Sequence, residues 1–297
     1  MSNLQLGPTG VLLTLSAISF LLNGTFLIVI CKSWKLVKRK RITYHVTNLA
    51  ISDCAVGAST FCYHISLVAA GRITNLSLVF NRIAWMAVLT SLLSVCLMAI
   101  ERGVCIKKPH TWKQILPVKR VLLVMVGNWV VALSLAILMY FYMYEMMFIF
   151  LVFFFIPITV TSVVYINMNM QIWKSSGARG ETGQSSAPTT EERRNHLLQQ
   201  KVGSFVLILV LILIISVSPS YFTLFVEVSC KLFKLNCNFI ETLTEVQVYF
   251  YILAIMNHVV NPIFYAWRVS LYRQAFWQMF GRAGTENTQT YLSTNTI

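Results

Sequence analysis

The chain has 297 residues, of which 57% are hydrophobic and 11% charged, and its mean hydropathy is +0.68. A soluble domain of this size could not stay dissolved with that composition, which makes the chain an integral membrane protein. The net charge of +14 does not point to nucleic acid, because the basic residues fall in the connections between apolar runs rather than on one folded face.

Seven runs are long enough to cross a bilayer, at roughly 20 residues each: 11–31, 44–70, 83–106, 121–140, 146–170, 202–228 and 246–267. The fold class is therefore an all-α, seven-transmembrane bundle. The first connection carries Lys32, Lys35, Lys38, Arg39, Lys40 and Arg41, and the third carries Lys107, Lys108, Lys113, Lys119 and Arg120. The second holds only Arg72 and an edge Arg82, and the fourth has no basic residue. That alternation predicts an extracellular N-terminus (1–10, with no signal peptide) and a cytoplasmic C-terminus. The fifth connection, with Arg179, Arg193 and Arg194, fits the same topology; its Gly/Ser/Thr/Pro-rich part, about 174–190, reads as a flexible linker. After the seventh run, residues 268–281 place Leu271, Tyr272, Ala275, Phe276, Met279 and Phe280 at helical spacing, which predicts an amphipathic helix on the membrane surface. The tail, 282–297, carries Thr285, Thr288, Thr290, Ser293, Thr294 and Thr296; disorder is its default state and phosphorylation a use for it. Asn75-Leu76-Ser77 is a glycosylation sequon in an expected outer loop. Cys230 and Cys237 flank a short polar loop and are a disulfide candidate, whereas Cys31, Cys54, Cys62, Cys96 and Cys105 lie in or beside apolar runs as small buried thiols.

The last run contains Asn257-His258-Val259-Val260-Asn261-Pro262-Ile263-Phe264-Tyr265, which hydrocarbon tolerates only if other helices pair its polar groups and the carbonyl that the proline leaves without a donor. Asp53, the only aspartate, sits in the middle of the second run. Its expected partners are Asn23, Ser91, Asn257, His258 and Asn261, in a cluster that carries function, fixes helix register, or does both. Glu101-Arg102 ends the third run; alone, such a pair is a solvated helix end.

With Asn23, Asn48-Leu49-Ala50-Ile51-Ser52-Asp53, Glu101-Arg102, Trp129, Pro157 with Tyr165, Pro219, and Asn261-Pro262-Ile263-Phe264-Tyr265 in seven successive helices, the chain resembles the rhodopsin-like (class A) G-protein-coupled receptors over nearly its whole length. The resemblance implies a plasma-membrane receptor without enzymatic activity or cofactor, in which Glu101, Arg102, Tyr165, Pro219, Asn261, Pro262 and Tyr265 form the activation switch. Outward movement of the sixth helix would admit a heterotrimeric G protein, and the tail would meet a receptor kinase and arrestin. It also implies sodium at Asp53. His258 stands where a serine is common, so its protonation would put a cation in sodium's place; the alternative is a neutral imidazole bonded to a backbone carbonyl.

Several positions depart from the family pattern. Ser216-Val217-Ser218-Pro219 lacks the bulky aromatic before the proline, Leu213 replaces a phenylalanine, Gly103 follows Arg102 in place of tyrosine, and Gln199 stands where an acid often pairs with that arginine, so raised basal activity is expected. The short fourth connection and the cysteine pair are similar to the melanocortin branch and its lipid and adenosine receptor relatives, but Tyr63, Ser77 and Asn81 replace the acids that hold a basic peptide. The expected pocket is lined by Tyr63, His64, Trp85, Val88, Ile149, Tyr221, Leu224, Gln247 and Tyr251, apolar enough for a small or lipid-like ligand; the bland reading of each is helix packing. Ala84 and Ile255 disfavour amines and retinal. The competing readings are a non-signalling or constitutively active receptor-like protein and, less favoured, an intramembrane enzyme, for which a second aspartate, His-Glu-x-x-His and Gly-x-Ser-x-Gly are all missing.

Overall fold

A computed structural model describes residues 6–38, 41–108, 111–181, 190–235 and 237–279, without side chains at 6, 106, 153, 165, 168, 169, 171–210 and 268. The side chains of Tyr165 and Gln199, the linker at 182–189 and the tail beyond 281 thus lie outside the described residues. Seven long helices follow one another: α1 (Leu6–Lys32), α2 (Ile42–Ala70), α3 (Asn75–Lys107), α4 (Val118–Phe141), α5 (Met143–Glu181), α6 (Thr190–Leu232) and α7 (Ile240–Arg268). A shorter helix, α8 (Ser270–Met279), follows, and single turns at Trp34–Val37 and Trp112–Ile115 lie in the basic connections.

Six of the seven carry an apolar stretch fit to cross a membrane; α2 falls below that composition. The reason is visible in its sequence: His45, Asn48, Ser52, Asp53, Ser59, Thr60 and His64 all lie on it, and all are buried. A helix that turns its polar residues inward needs partners on its neighbours, and α2 packs chiefly between α1 and α3. α3 touches α2, α4, α5 and α6 and forms the centre, while α7 closes the ring against α1 and α6. The α1–α2 crossing is close at Gly57, where a Cβ would stand 2.6 Å from the Phe20 nitrogen and 2.8 Å from the Ser16 carbonyl oxygen.

The helices run past the apolar cores that the sequence marks. α3 begins at Asn75, eight residues before the expected start at 83, because Thr74 and Ser77 cap each other: Ser77 N–H donates to Thr74 Oγ1 (3.1 Å) and Thr74 N–H to Ser77 Oγ (2.9 Å). The sequon therefore occupies the first turn of a helix rather than a loop, with Asn75 exposed and Ser77 buried. Gly71, at φ +63°, ends α2 in the left-handed region, which glycine adopts without steric cost. α4 and α5 are separated by Tyr142 alone. The α5 backbone stays helical to Glu181, into the stretch expected to be linker from 174. α8 starts at Ser270 and packs on α1 and α7.

Candidate functional site

Pro262 has no N–H, so the carbonyl of His258, one turn earlier, loses its helical donor. Asn23 of α1 supplies one: its Nδ2 donates to the His258 oxygen at 2.9 Å and to the Ser19 oxygen, also at 2.9 Å. The asparagine expected beside Asp53 thus repairs the proline break instead. The Asp53 carboxylate receives Ser91 Oγ–H at 2.8 Å and His258 Nδ1 at 2.7 Å on Oδ1, and Asn261 Nδ2 at 2.6 Å on Oδ2. Asn257 is buried nearby on α7, and the bonds to the carboxylate come from Ser91, His258 and Asn261. The imidazole faces the carboxylate and not a backbone carbonyl, so with Asp53 ionised the Nδ1 carries a proton. Sodium does not fit this arrangement. Oδ1 already accepts from two donors, one of them the His258 ring, and Oδ2 from a third.

Asp53 is one rung of a ladder between antiparallel α2 and α3. Asn48 Nδ2 donates to Ser94 Oγ at 2.6 Å, while its Oδ1 accepts from Trp129 Nε1 at 3.0 Å, which ties α4 to the pair. The rung nearest the basic end joins His45 Nε2 to Glu101 Oε2. Glu101 is fully buried, and its other oxygen lies 3.6 Å from Arg41 Nε and 3.5 Å from Arg102. The helix-end pair that looks solvated in the sequence is therefore an internal cluster. Arg41 also donates to the Leu116 carbonyl and sits 4.7 Å over the Trp112 ring, which docks the connection between α3 and α4 onto the start of α2. The sequence marks neither His45 nor Arg41 as a site residue. Gly103 leaves room for the Val164 side chain of α5, which would lie 2.7 Å from an added Cβ.

Tyr265 is fully buried against Phe26 of α1, with ring centroids 5.5 Å apart, and Phe26 also meets Tyr272 of α8 at 5.4 Å. The Tyr272 hydroxyl donates to Thr43 Oγ1 at 3.2 Å, and burial pushes that phenol up to about 12, so it stays a donor.

At the opposite end, Trp85, Tyr221, Leu224 and Val88 point into the bundle, as do Tyr63, His64, Gln247 and Tyr251 in whole or part. Ile149 is 36% exposed on the outer face of α5; Phe150 and Phe154 take the inner positions. Cys230 and Cys237 are bonded, with Cα atoms 6.4 Å apart. Pro219 lies inside α6, two residues after Val217, which is buried.

Seven long helices, tied by buried polar contacts and carrying most of their basic residues at one end, make up a multi-pass membrane bundle. The chain belongs to the 7 transmembrane receptor (rhodopsin) family, whose model matches residues 22–265. No curated protein matches the chain. Members of the family are receptors that signal through G proteins from the plasma membrane.

Proposed function

We propose that this receptor converts binding of a small or lipid-like extracellular ligand into G-protein activation, with the basic end cytoplasmic and α6 as the moving element. The observation that carries the reading is a difference in how the helices are held. α1, α2, α3, α4 and α7 are linked by buried hydrogen bonds through Asn23, Asn48, Asp53, Glu101 and Trp129. In the described part of α6, Ser216, Thr223 and Ser229 bond to carbonyls of their own helix. Its contacts with α5 and α3 are rings: Phe225 with Phe148 and Phe155, Tyr221 with Phe154 and Trp85. A helix held by dispersion can shift without leaving a polar group unpaired, whereas a helix in the ladder cannot.

Arg102 would receive the G protein once α6 opens, with Tyr165 and Tyr265 closing behind it, and Glu101 would hold it until then. Receptor kinase and arrestin would act on the tail. The melanocortin-like features, a one-residue connection between α4 and α5 and the Cys230–Cys237 loop, support a ligand that needs no deep outer lid. The test is guanine-nucleotide exchange on a panel of purified G proteins by the receptor in lipid nanodiscs. Exchange above empty discs that is lost in Arg102→Ala supports the reading. No exchange with any G protein, across a ligand screen, refutes it.

A further inference from the structure

Glu101 is fully buried near the basic end of α3, and its two oxygens are held in different ways. Oε2 receives a directed hydrogen bond from His45 Nε2 of α2. The other ring nitrogen of His45 is buried and has no hydrogen-bond partner among the described residues, which suits a neutral imidazole that turns its one proton toward the carboxylate. Oε1 has no aligned donor; the guanidiniums of Arg41 and Arg102 approach it by charge, at 3.6 and 3.5 Å. One anion thus lies between two cations, and the cations are anchored unequally. Arg41 is also tied to the connection between α3 and α4, through the Leu116 carbonyl and over the Trp112 ring. Arg102 meets Glu101 without an aligned bond, and its buried Nε has no hydrogen-bond partner among the described residues.

Taking away the one partner of a buried ion pair is strongly destabilising, because the charge that stays is desolvated and unpaired. An arginine held in such a pair would be locked in place. Here departure of Arg102 leaves Glu101 with the Arg41 charge at the same oxygen and the His45 bond at the other, and it separates two like charges. We propose that Arg41 and His45 are positioning residues of the switch, which keep Glu101 compensated while Arg102 leaves it. The arginine is then released without an unpaired charge remaining in the bundle. Arg41, fixed at Trp112 and Leu116, does not follow Arg102 out, so it sets how easily release occurs. This assignment deepens the receptor reading and relies on it for the consequence of release, whereas the redundancy of cations at Glu101 does not depend on it.

Thermal unfolding of the full chain in nanodiscs tests the redundancy without G protein or ligand. Arg41→Met and Arg102→Met each leave Glu101 one guanidinium. Combined, they should lower the melting temperature by at least about 4 °C more than the sum of the single shifts. In the Glu101→Gln background the same two changes should add with no excess. Arginines with a merely structural role give additive shifts in both backgrounds, and that result overturns the proposal. If the double variant does not fold, adding Glu101→Gln should restore it, and a triple variant that stays unfolded also overturns the proposal. Nucleotide exchange on the same discs reads the consequence. Arg41→Met should lower the wild-type rate at least about fivefold, His45→Phe should lower it in the same direction, and Arg41→Lys, which keeps the charge, should restore most of it. Unchanged or raised exchange in Arg41→Met refutes the part these residues play in switching. Absence of wild-type exchange with every G protein refutes the receptor reading instead, and the melting cycle then decides the redundancy alone.

Discussion

Replacing His258 with serine tests whether the imidazole has taken a cation's place at Asp53. The substitution removes one of three donors from a fully buried carboxylate, the one 2.7 Å from Oδ1, and opens space beside Ser91. A hydrogen bond to a charged group contributes about 1.5–3 kcal/mol. At roughly 2–4 °C per kcal/mol for a domain of this size, the melting temperature in potassium buffer should fall by roughly 3–12 °C. The vacated corner would then have a carboxylate oxygen, the Ser91 hydroxyl and the hydroxyl introduced by the substitution, a set of oxygens suited to a small monovalent cation. Sodium at ten times its dissociation constant returns about 1.4 kcal/mol, or roughly 3–6 °C. The assay is thermal unfolding of purified receptor in sodium chloride against potassium chloride at equal ionic strength. Wild type should show no difference between the salts, His258→Ser should gain stability in sodium, and His258→Ser with Asp53→Asn should lose that gain. Equal stabilisation of wild type and variant by sodium would refute the argument.

Three further outcomes follow from named contacts. Glu101→Gln removes the charge that Arg41, His45 and Arg102 share, which should favour release of Arg102 and raise basal nucleotide exchange about tenfold, the effect of roughly 1.4 kcal/mol; unchanged exchange at matched receptor content would count against the cluster as a restraint. Gly57→Ala puts a methyl group 2.6 Å from backbone on α1, and overpacking of that kind costs about 1–3 kcal/mol, to be read as a lower melting temperature in nanodiscs, whereas Gly127→Ala, which meets nothing within 4 Å, should melt like wild type. Reduction of the Cys230–Cys237 bridge, whose sequence separation is 7, should destabilise by about 2.5 kcal/mol on the loop-entropy relation, and Cys230→Ser should be insensitive to reductant.

Some of this architecture can be read directly from the chain because hydrocarbon makes polar residues conspicuous. Asp53, Asn261 and Pro262 announce a buried seam, and the helix that carries the proline has to find a donor for the His258 carbonyl on another helix. The identity of that donor is not legible in the same way: Asn23 is expected at the carboxylate, and a sequence cannot say which of two nearby acceptors one amide will reach. Rotational register is least legible where polarity gives no mark. α5 reads Met-Met-Phe-Ile-Phe-Leu-Val-Phe-Phe-Phe from 146 to 155, apolar on every side, so nothing local distinguishes exposed Ile149 from buried Phe150 one residue on. The start of α3 is hidden for a different reason. Thr74 and Ser77 form a capping box without the usual Glu or Gln, and the charged Arg82 interrupts the apolar run that marks the span.

His45 shows what the pattern does contain once the pairing is known. In an antiparallel helix pair, partners move in opposite directions along the chain, so going from Asp53 back to Asn48 and His45 on α2 means going from Ser91 forward to Ser94 and Glu101 on α3. The Asp53–Ser91 contact therefore predicts that a polar residue about two turns earlier on α2 faces one about two to three turns later on α3, and Glu101 is the charged residue found there. A buried carboxylate at that rung requires a donor from α2, and among the buried residues near the start of that helix His45 is the one with a ring nitrogen to offer. The ladder thus makes Asp53 and Glu101 two ends of one α2–α3 unit, joined by side-chain contacts at three levels.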